Sequence, residues 1–522
     1  MKANQIELNP EFKKAFELME NSDKNVFVTG KAGTGKSTLL KYFRENTEKN
    51  VVVLAPTGVA ALNVEGQTIH SFFNFNIDIT PTKVKKADEI RAELYKNVDA
   101  IVIDEVSMVR SDLMDCVDKF LRLNRKDKKQ PFGGVQMIFI GDLYQLPPVV
   151  KSGEKEAFQT QYASQYFFDS NAWKNIAVEF IELEKIYRQK DDKFIQLLNA
   201  VRNNSVTDVQ INQLNKRLNP NFSPPPGDFC ISLTTTNQMA SEENNRQLAK
   251  TPGKALTFLG KVKGKFEQKD LPTEVELNVK KGAQVMLLNN DASGRWVNGT
   301  VGKIVDIQKS GDDEDDVDIV NVLTSDGRKV SVTPHTWKMY QTVYNKESKA
   351  LDSHTIGSFT QYPLRLAWAV TIHKSQGKTF DNVAIDIGNG TFTHGQVYVA
   401  LSRCTSLDGL VLKKPILKKN IWMDWKIVKF LTNFQYQRSE EECSLEKKME
   451  IIQTAIANKS SLDMVYLKGS DEKSKRTVKP LEVGEMQYMN KTYTGMRAYC
   501  YKRQDERTFR VDRILELSVK QK

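Results

Sequence analysis

Residues 30–37, Gly-Lys-Ala-Gly-Thr-Gly-Lys-Ser, have the types and spacing to hold a polyphosphate. Gly30, Gly33 and Gly35 let the backbone turn so that several amides point inward. Lys36 can reach the β- and γ-phosphates, and the Ser37 hydroxyl can ligate Mg2+. A second cluster, Ile101-Val102-Ile103-Asp104-Glu105, ends an apolar run in two adjacent carboxylates. Phosphoryl transfer to water needs one acid to hold Mg2+ and another group to orient or deprotonate the water. Asp104 suits the first task and Glu105 the second. Gln145, in Gly141-Asp142-Leu143-Tyr144-Gln145, can hydrogen-bond the γ-phosphate or the attacking water. Arg188 in Tyr187-Arg188-Gln189 and Arg403 in Leu401-Ser402-Arg403 can reach a γ-phosphate from a neighbouring domain, which ties hydrolysis to domain closure.

Three further segments suit nucleic acid. Thr57 and Gly58, in Ala55-Pro56-Thr57-Gly58-Val59, put a hydroxyl and a flexible backbone where they can bond a phosphate. Residues 66–73 set His70 and other polar donors beside Phe72 and Phe73. The rings suit stacking on bases, although at least one of them is expected in the core. Thr371-Ile372-His373-Lys374-Ser375-Gln376-Gly377 places four polar groups in a row. The five histidines are dispersed with no i, i+4 pair, which argues against a histidine metal site.

These residues need strand ends to hold them. Runs 25–29, 51–55, 100–104 and 135–140 are short and apolar, and 38–43 after the glycine-rich turn reads as helix. Continuous apolar strands separated by helices predict a parallel sheet covered on both faces, with ligands at the carboxyl ends. A second α/β region is expected from strands at 178–183, 229–233 and 285–288 and helices at 191–202 and 240–249, with a loop at 223–227. Closely spaced strands at 297–307, 319–323 and 329–333, turning at 325–328, predict an all-β insertion. The acidic run 312–316 reads as a solvated loop within it. The α/β style returns after 362. Residues 437–448 are charged and weakly apolar, as a helical linker would be.

The chain has 522 residues and a net charge of +11, a pI near 9.1 and a mean hydropathy of −0.48. That length implies several domains, and the basic excess points to a polyanionic partner such as nucleic acid. No run approaches the roughly 20 apolar residues of a membrane span, and residues 1–10 carry no signal peptide. Five scattered cysteines fit a reducing cytoplasm and no disulfide framework or zinc site. Residues 451–522 hold fifteen Lys/Arg against nine Asp/Glu.

The ordered series GKAGTGKS, APTGVAALNVEGQTIHSFF, IDEVSM, GDLYQLPPV, YRQ, LTTTN, WVNGTVG, AVTIHKSQGKTF and VALSRC resembles the helicase motifs of PIF-type, RecD-like superfamily 1B DNA helicases. The resemblance implies two RecA-like domains, about 1–170 and 171–294 with 361–430, that use ATP and Mg2+ to translocate 5′ to 3′ on single-stranded DNA. It implies a small wedge insertion near 66–95 and an SH3-like insertion at 295–360. By the same resemblance Gly33, Thr34, Gly35, Lys36, Ser37, Thr38 and Gly377 bind the nucleotide, Ser37 and Asp104 the metal, and Arg188 and Arg403 act as arginine fingers. Glu105 is then the water-activating acid and Gln145 the γ-phosphate sensor. Thr57, Gly58, His70, Thr235, Asn298, His373, Lys374 and Ser375 would line the DNA track. Related enzymes act on forked DNA, replication intermediates and G-quadruplexes, and some serve repair or telomere maintenance. The implied protein is bacterial, cytoplasmic and monomeric. One departure stands out: Phe12 occupies the place where such helicases carry a glutamine that contacts adenine.

After a linker at 431–450, residues 451–522 resemble a WYL domain, with Val465 in place of the tryptophan. That implies a small β-barrel that binds nucleic acid or another ligand and regulates the attached module. Arg476, Arg507, Arg510 and Arg513 would form its basic face. A nucleotide-gated DNA-binding regulator without directional movement is the competing reading; the two arginines and the Gln145 and His373 segments favour the motor.

Overall fold

The computed structural model describes residues 9–520 except 77, 151, 190, 226–227, 267, 269–270, 310–316, 346, 349, 470 and 489–490. The acidic run 312–316 and part of the 223–227 loop therefore lie outside the described residues. The chain forms two compact units, Met1–Leu198 with Thr207–Ile421, and Asn199–Val206 with Trp422–Lys522.

The first unit is built on two parallel sheets. In the first lobe, strands β1 (Asn25–Gly30), β2 (Val51–Ala55), β3 (Gln67–Thr68), β4 (Ala100–Ile103), β5 (Gln136–Ile140) and β6 (Val178–Leu183) run in the order β3-β2-β4-β5-β1-β6. Their apolar runs are continuous because both faces are covered. Helices α1 (Pro10–Asn21) and α2 (Lys36–Asn46) pack Phe12, Met19, Leu39 and Phe43 against Val26, Val28, Val102 and Ile138. On the other face Phe27 and Phe139 meet Phe167 and Trp173 edge-on or stacked. Local chemistry starts α1: Pro10 stands at its first position and Asn9 Oδ1 accepts from the Phe12 amide at 2.8 Å. Adjacency of β4, β5 and β1 brings the ends that precede Asp104, Gly141 and the glycine-rich turn side by side.

The second lobe carries four parallel strands, Ala369–Thr371, Ile231–Thr234, Val383–Asp386 and Leu410–Leu412, in that order. Two of the strands expected here belong elsewhere. Residues 178–183 form β6, which pairs along its whole length with β1, so the first lobe continues past residue 170. Gln284–Leu287 pairs antiparallel with Val301–Gln308 and Leu364–Leu366, so it belongs to the inserted β region. That region holds a five-stranded antiparallel sheet around Trp296, Val285, Ile304, Val320 and Tyr362. It also holds a three-stranded sheet of His335–Asn345, Ala350–Gln361 and Lys261–Gly264. No strand was expected over 335–361.

In the second unit, helices Trp425–Glu442 and Leu445–Ala457 accompany a five-stranded antiparallel sheet. The strand order is Asp505–Arg510, Lys491–Cys500, Glu472–Tyr488, Leu462–Lys468, Ile514–Val519. Among the described residues no pairing joins the two outer strands, and the short turn Val511–Arg513 links one to the other. Residues 431–450 are helical as expected but are built into this unit rather than strung between domains. Ser439 Oγ donates to Ile514 O at 2.9 Å, and the buried Lys448 Nζ donates to Ser439 Oγ at 2.7 Å. No described helix is long and apolar enough to cross a membrane.

Candidate active site

The glycine-rich turn between β1 and α2 has the left-handed backbone that its glycines permit, with φ of 82° at Gly33 and 92° at Gly35, which caps α2. Thr34 is buried, and its hydroxyl donates to Lys31 O at 2.9 Å. Lys36 Nζ donates to Gly30 O (2.8 Å) and Lys31 O (3.1 Å), so its ammonium stands at the turn's mouth. Ser37 and Thr38 lie exposed on the first turn of α2.

Asp104 and Glu105 follow β4. Glu105 takes a left-handed φ of 48°, which turns its side chain sharply after the strand. Burial raises both carboxyl pKa values. The Glu105 charge raises Asp104 further, and Lys36 opposes both shifts. The charges of Lys36, from the first lobe, and Arg403, from the second, both act on the Glu105 carboxyl.

Arg403 is 1% exposed. Its Nε donates to Val399 O (2.9 Å), one terminal nitrogen to Lys378 O (3.3 Å) and Ser375 O (3.5 Å), and the other to Ser402 Oγ (2.9 Å). Burial, then the neighbouring Arg188, pushes its pKa down to about 9. Arg188 donates to Ser402 O (3.2 Å) and Gly377 O (3.5 Å). It packs so closely on Gly33 that a Cβ there would lie 2.6 Å from Arg188 Cβ. Gln145, buried after β5, donates to Asp142 Oδ2 (3.4 Å) and accepts from Gln376 Nε2 (3.3 Å). Contacts and charge thus join Gly33, Lys36, Asp104, Glu105, Gln145, Arg188, Gly377 and Arg403 in one crevice between the two parallel sheets, and Ser37 and Thr38 follow on the first turn of α2.

Four members of the crevice were not singled out from sequence. Tyr398 accepts from the Ala32 amide (2.9 Å) and donates to Asp142 Oδ2 (3.4 Å), joining the glycine-rich turn to the strand end after β5. Asp142 is fully buried. Gln189 donates to Ser402 O and Cys404 O, both at 3.1 Å. Gly395 lies so near the Tyr144 and Gln145 carbonyls that a Cβ would come within 2.5 Å of each. Asp142, Gln189 and Tyr398 stand inside or beside the recognised motifs, and that position was the available signal. Phe12 is buried against Tyr42. The side chain beside the turn is instead Tyr187, whose hydroxyl accepts from Asn9 Nδ2 at 3.2 Å.

The expected DNA residues divide. Thr57 is exposed and caps the helix Gly58–Asn63. Asn298 donates to Asn63 Oδ1 (2.9 Å) and accepts from Lys378 Nζ (2.7 Å), so it ties that helix to the second lobe. Burial and the nearby Arg365 push the Lys378 pKa down to about 8. His373 stacks at 6.0 Å on Phe392, which is exposed; burial lowers its pKa. Lys374 is exposed and His70 half-buried. Two expectations are corrected. Ser375 is fully buried, and its hydroxyl donates to Ile372 O at 2.7 Å, so it shapes the turn and faces no solvent track. The Thr235 side chain is buried against Met239. Phe72 and Phe73 are both core, packed with Tyr95.

The four arginines of the C-terminal sheet do not share a face. Arg476 lies over the buried Phe509 at 5.7 Å. Arg507, two residues from Phe509, is on that same side by strand alternation. Arg510 is on the opposite side, stacked on Tyr493 at 5.3 Å and held by Asp512 at 2.6 Å. Arg513 lies in the short turn Val511–Arg513 beyond the strand.

Comparison with known proteins agrees with this geometry. A family model described as PIF1-like helicase matches residues 7–212, one described as Helicase matches 335–437, and one described as WYL domain matches 447–519. The ATP-dependent DNA helicase Pif1 of Bdellovibrio bacteriovorus is 32% identical over 448 residues, 83% of this chain and 94% of that protein. The ATP-dependent DNA helicase PIF1 of Homo sapiens is 35% identical over 395 residues, 74% of this chain and 58% of that protein. The structure of Bacteroides sp Pif1 in complex with ADP-AlF4 superposes with a TM-score of 0.75 at 36% identity, covering 83% of this chain and 98% of that one. That of Pif1 helicase from Candida albicans gives 0.64 at 31%, covering 82% and 100%. This chain belongs to the PIF1-like helicase family, with a WYL domain after the helicase region.

Proposed function

We propose that this chain, an ATP-dependent DNA helicase by family, translocates 5′ to 3′ on single-stranded DNA and unwinds forked or structured duplexes. The observation that carries the reading is the bonding of the two lobes around the glycine-rich turn, where Tyr398 accepts from the Ala32 amide, Arg188 donates to Ser402 O and Gln376 donates to Gln145. Hydrolysis that needs both lobes is hydrolysis that can move them. The Bacteroides Pif1 relative has been solved bound to single-stranded DNA, and with ADP-AlF3 and single-stranded DNA together.

The turn amides and Lys36 bind the β- and γ-phosphates. The Ser37 hydroxyl and Asp104 carboxylate are hard oxygen donors that fit Mg2+, which when bound neutralises phosphate charge. Glu105 takes the proton from the attacking water. Burial raises its pKa and makes it the better base, while the charges of Lys36 and Arg403 act against that shift. Arg188 and Arg403 stabilise charge on the transferring phosphoryl group. Asp142 holds Gln145 near the γ-phosphate, and Gln376 carries that state to the His373–Lys374 turn of the DNA track. Thr57, Asn298, His373 and Lys374 grip the strand, and the WYL domain regulates the motor or binds nucleic acid.

The test compares forks with a 5′ or a 3′ single-stranded tail, with ATP and Mg2+. Unwinding of the 5′-tailed fork alone is expected. Tight binding with unwinding of neither fork would replace the motor by a nucleotide-gated binding protein.

A further inference from the structure

One face of the three-stranded sheet in the inserted β region is basic, with no acid at its described paired positions. Lys263 pairs with Ser358, and Ser358 with Lys338; Lys261 pairs with Thr360, and Thr360 with Thr336. Paired residues share a face, as do residues two apart along a strand. These six side chains therefore occupy one side of the sheet. The alternate positions include Trp337 and Phe359, 6% and 0% exposed and stacked at 5.7 Å, so the apolar side is the core. Lys261, Lys263 and Lys338 are exposed, and Thr336 and Thr360 hydrogen-bond each other across the strands at 2.8 Å. No Asp or Glu occupies the paired positions of this face.

From this face we infer a binding surface for the sugar–phosphate backbone of duplex DNA. The inference rests on the helicase reading, which supplies a duplex ahead of the motor, and it goes beyond the crevice and the single-strand track. Strand spacing near 4.8 Å and a rise near 3.4 Å per residue set the three ammonium groups within a patch about 10 Å across. Lysine with serine and threonine hydroxyls is the chemistry that contacts phosphates without reading sequence. A single-strand platform would add exposed rings for stacking; none of the six residues is aromatic, and Tyr340, two positions beyond Lys338, is half-buried. Both lysine-bearing strands are also outer strands, where lysines deter edge-to-edge pairing. Edge protection works with either sign of charge, whereas phosphate binding does not, so charge reversal separates the two.

The experiment uses the full chain with Lys261→Glu, Lys263→Glu and Lys338→Glu combined, and a matching triple Lys→Gln variant in case reversal disturbs folding. Binding to a blunt duplex and to a single strand is measured from 50 to 200 mM salt, with single-strand-stimulated ATPase alongside. Expected are a fall of about 100-fold in duplex affinity and a salt slope shallower by about 2.7, three phosphate contacts being lost. Single-strand affinity and ATPase should stay within about twofold. Duplex affinity and slope like the parent's would overturn the surface, as would a parallel loss of single-strand binding. A parent that binds duplex through these lysines but unwinds no fork would overturn the directional motor and sustain the surface.

Discussion

Two sets of arginines stood out in the same sequence, and the fold treats them differently. Arg188 and Arg403 are 215 positions apart and meet in one crevice, where the charge of the first acts on the second. Arg507, Arg510 and Arg513 are neighbours in the chain and are divided between the two sides of a sheet and a turn beyond it. Parallel strands deliver their following loops to one end of a sheet, so residues far apart in sequence converge. Antiparallel strands alternate their side chains, so an odd spacing sends neighbours to opposite sides. Closeness in sequence says least about closeness in space where the strands are extended.

The strongest way to break this contrast is to remove a group from the crevice. Lys36→Ala or Glu105→Gln should lower DNA-stimulated ATP turnover by about a thousandfold or more while circular dichroism stays unchanged. Full turnover in either would remove the crevice from the chemistry. Arg403→Lys and Arg188→Lys keep the charge but lose the planar fork, so kcat should fall by about 100-fold or more. Arg476→Ala and Arg510→Ala should change the same rate less than about twofold. An equal effect from the two sets would erase the distinction.

Smaller effects sharpen it. Tyr398→Phe keeps the ring and removes the hydroxyl between the Ala32 amide and Asp142. It should lower kcat about tenfold, roughly 1.4 kcal/mol of barrier, with KM for ATP nearly constant. A change in KM alone would make Tyr398 a binding group. In the C-terminal unit, Lys448 is as buried as Arg403, and its ammonium donates to Ser439 Oγ of the same unit. Burial lowers its pKa, so its charge costs stability. Lys448→Met should leave ATPase unchanged and raise unfolding stability by about 1 kcal/mol. A loss of 3 kcal/mol or more would show that the ammonium is itself a structural tie.

Much of the crevice was legible because its residues sit at strand ends, where polar and glycine residues interrupt apolar runs. Asp104–Glu105 after β4 and Gln145 after β5 are of this kind. Sheet membership was not legible. Residues 178–183 and 284–287 are short, largely apolar segments that suit any covered sheet, and only hydrogen-bond pairing distinguishes β6 from a strand of the second lobe. The hairpin over 335–361 escaped notice because its strands mix threonine, serine and tyrosine with few aliphatic residues. Ser375 misled because a hydroxyl in a polar run looks solvated, yet it satisfies itself on Ile372 O. Phe12 is buried against Tyr42 and carries no side-chain amide, while Tyr187 is the ring that stands beside the glycine-rich turn.

The peptide leaving β6 has a last consequence. Five residues after Leu183 the chain reaches Arg188, having already bonded the Tyr187 amide to Gly33 O at 2.8 Å. The strand that closes the first sheet and Arg188 are therefore joined by one short length of backbone. A change at the glycine-rich turn thus reaches Arg188 through the main chain itself, by a single amide bonded to Gly33 O.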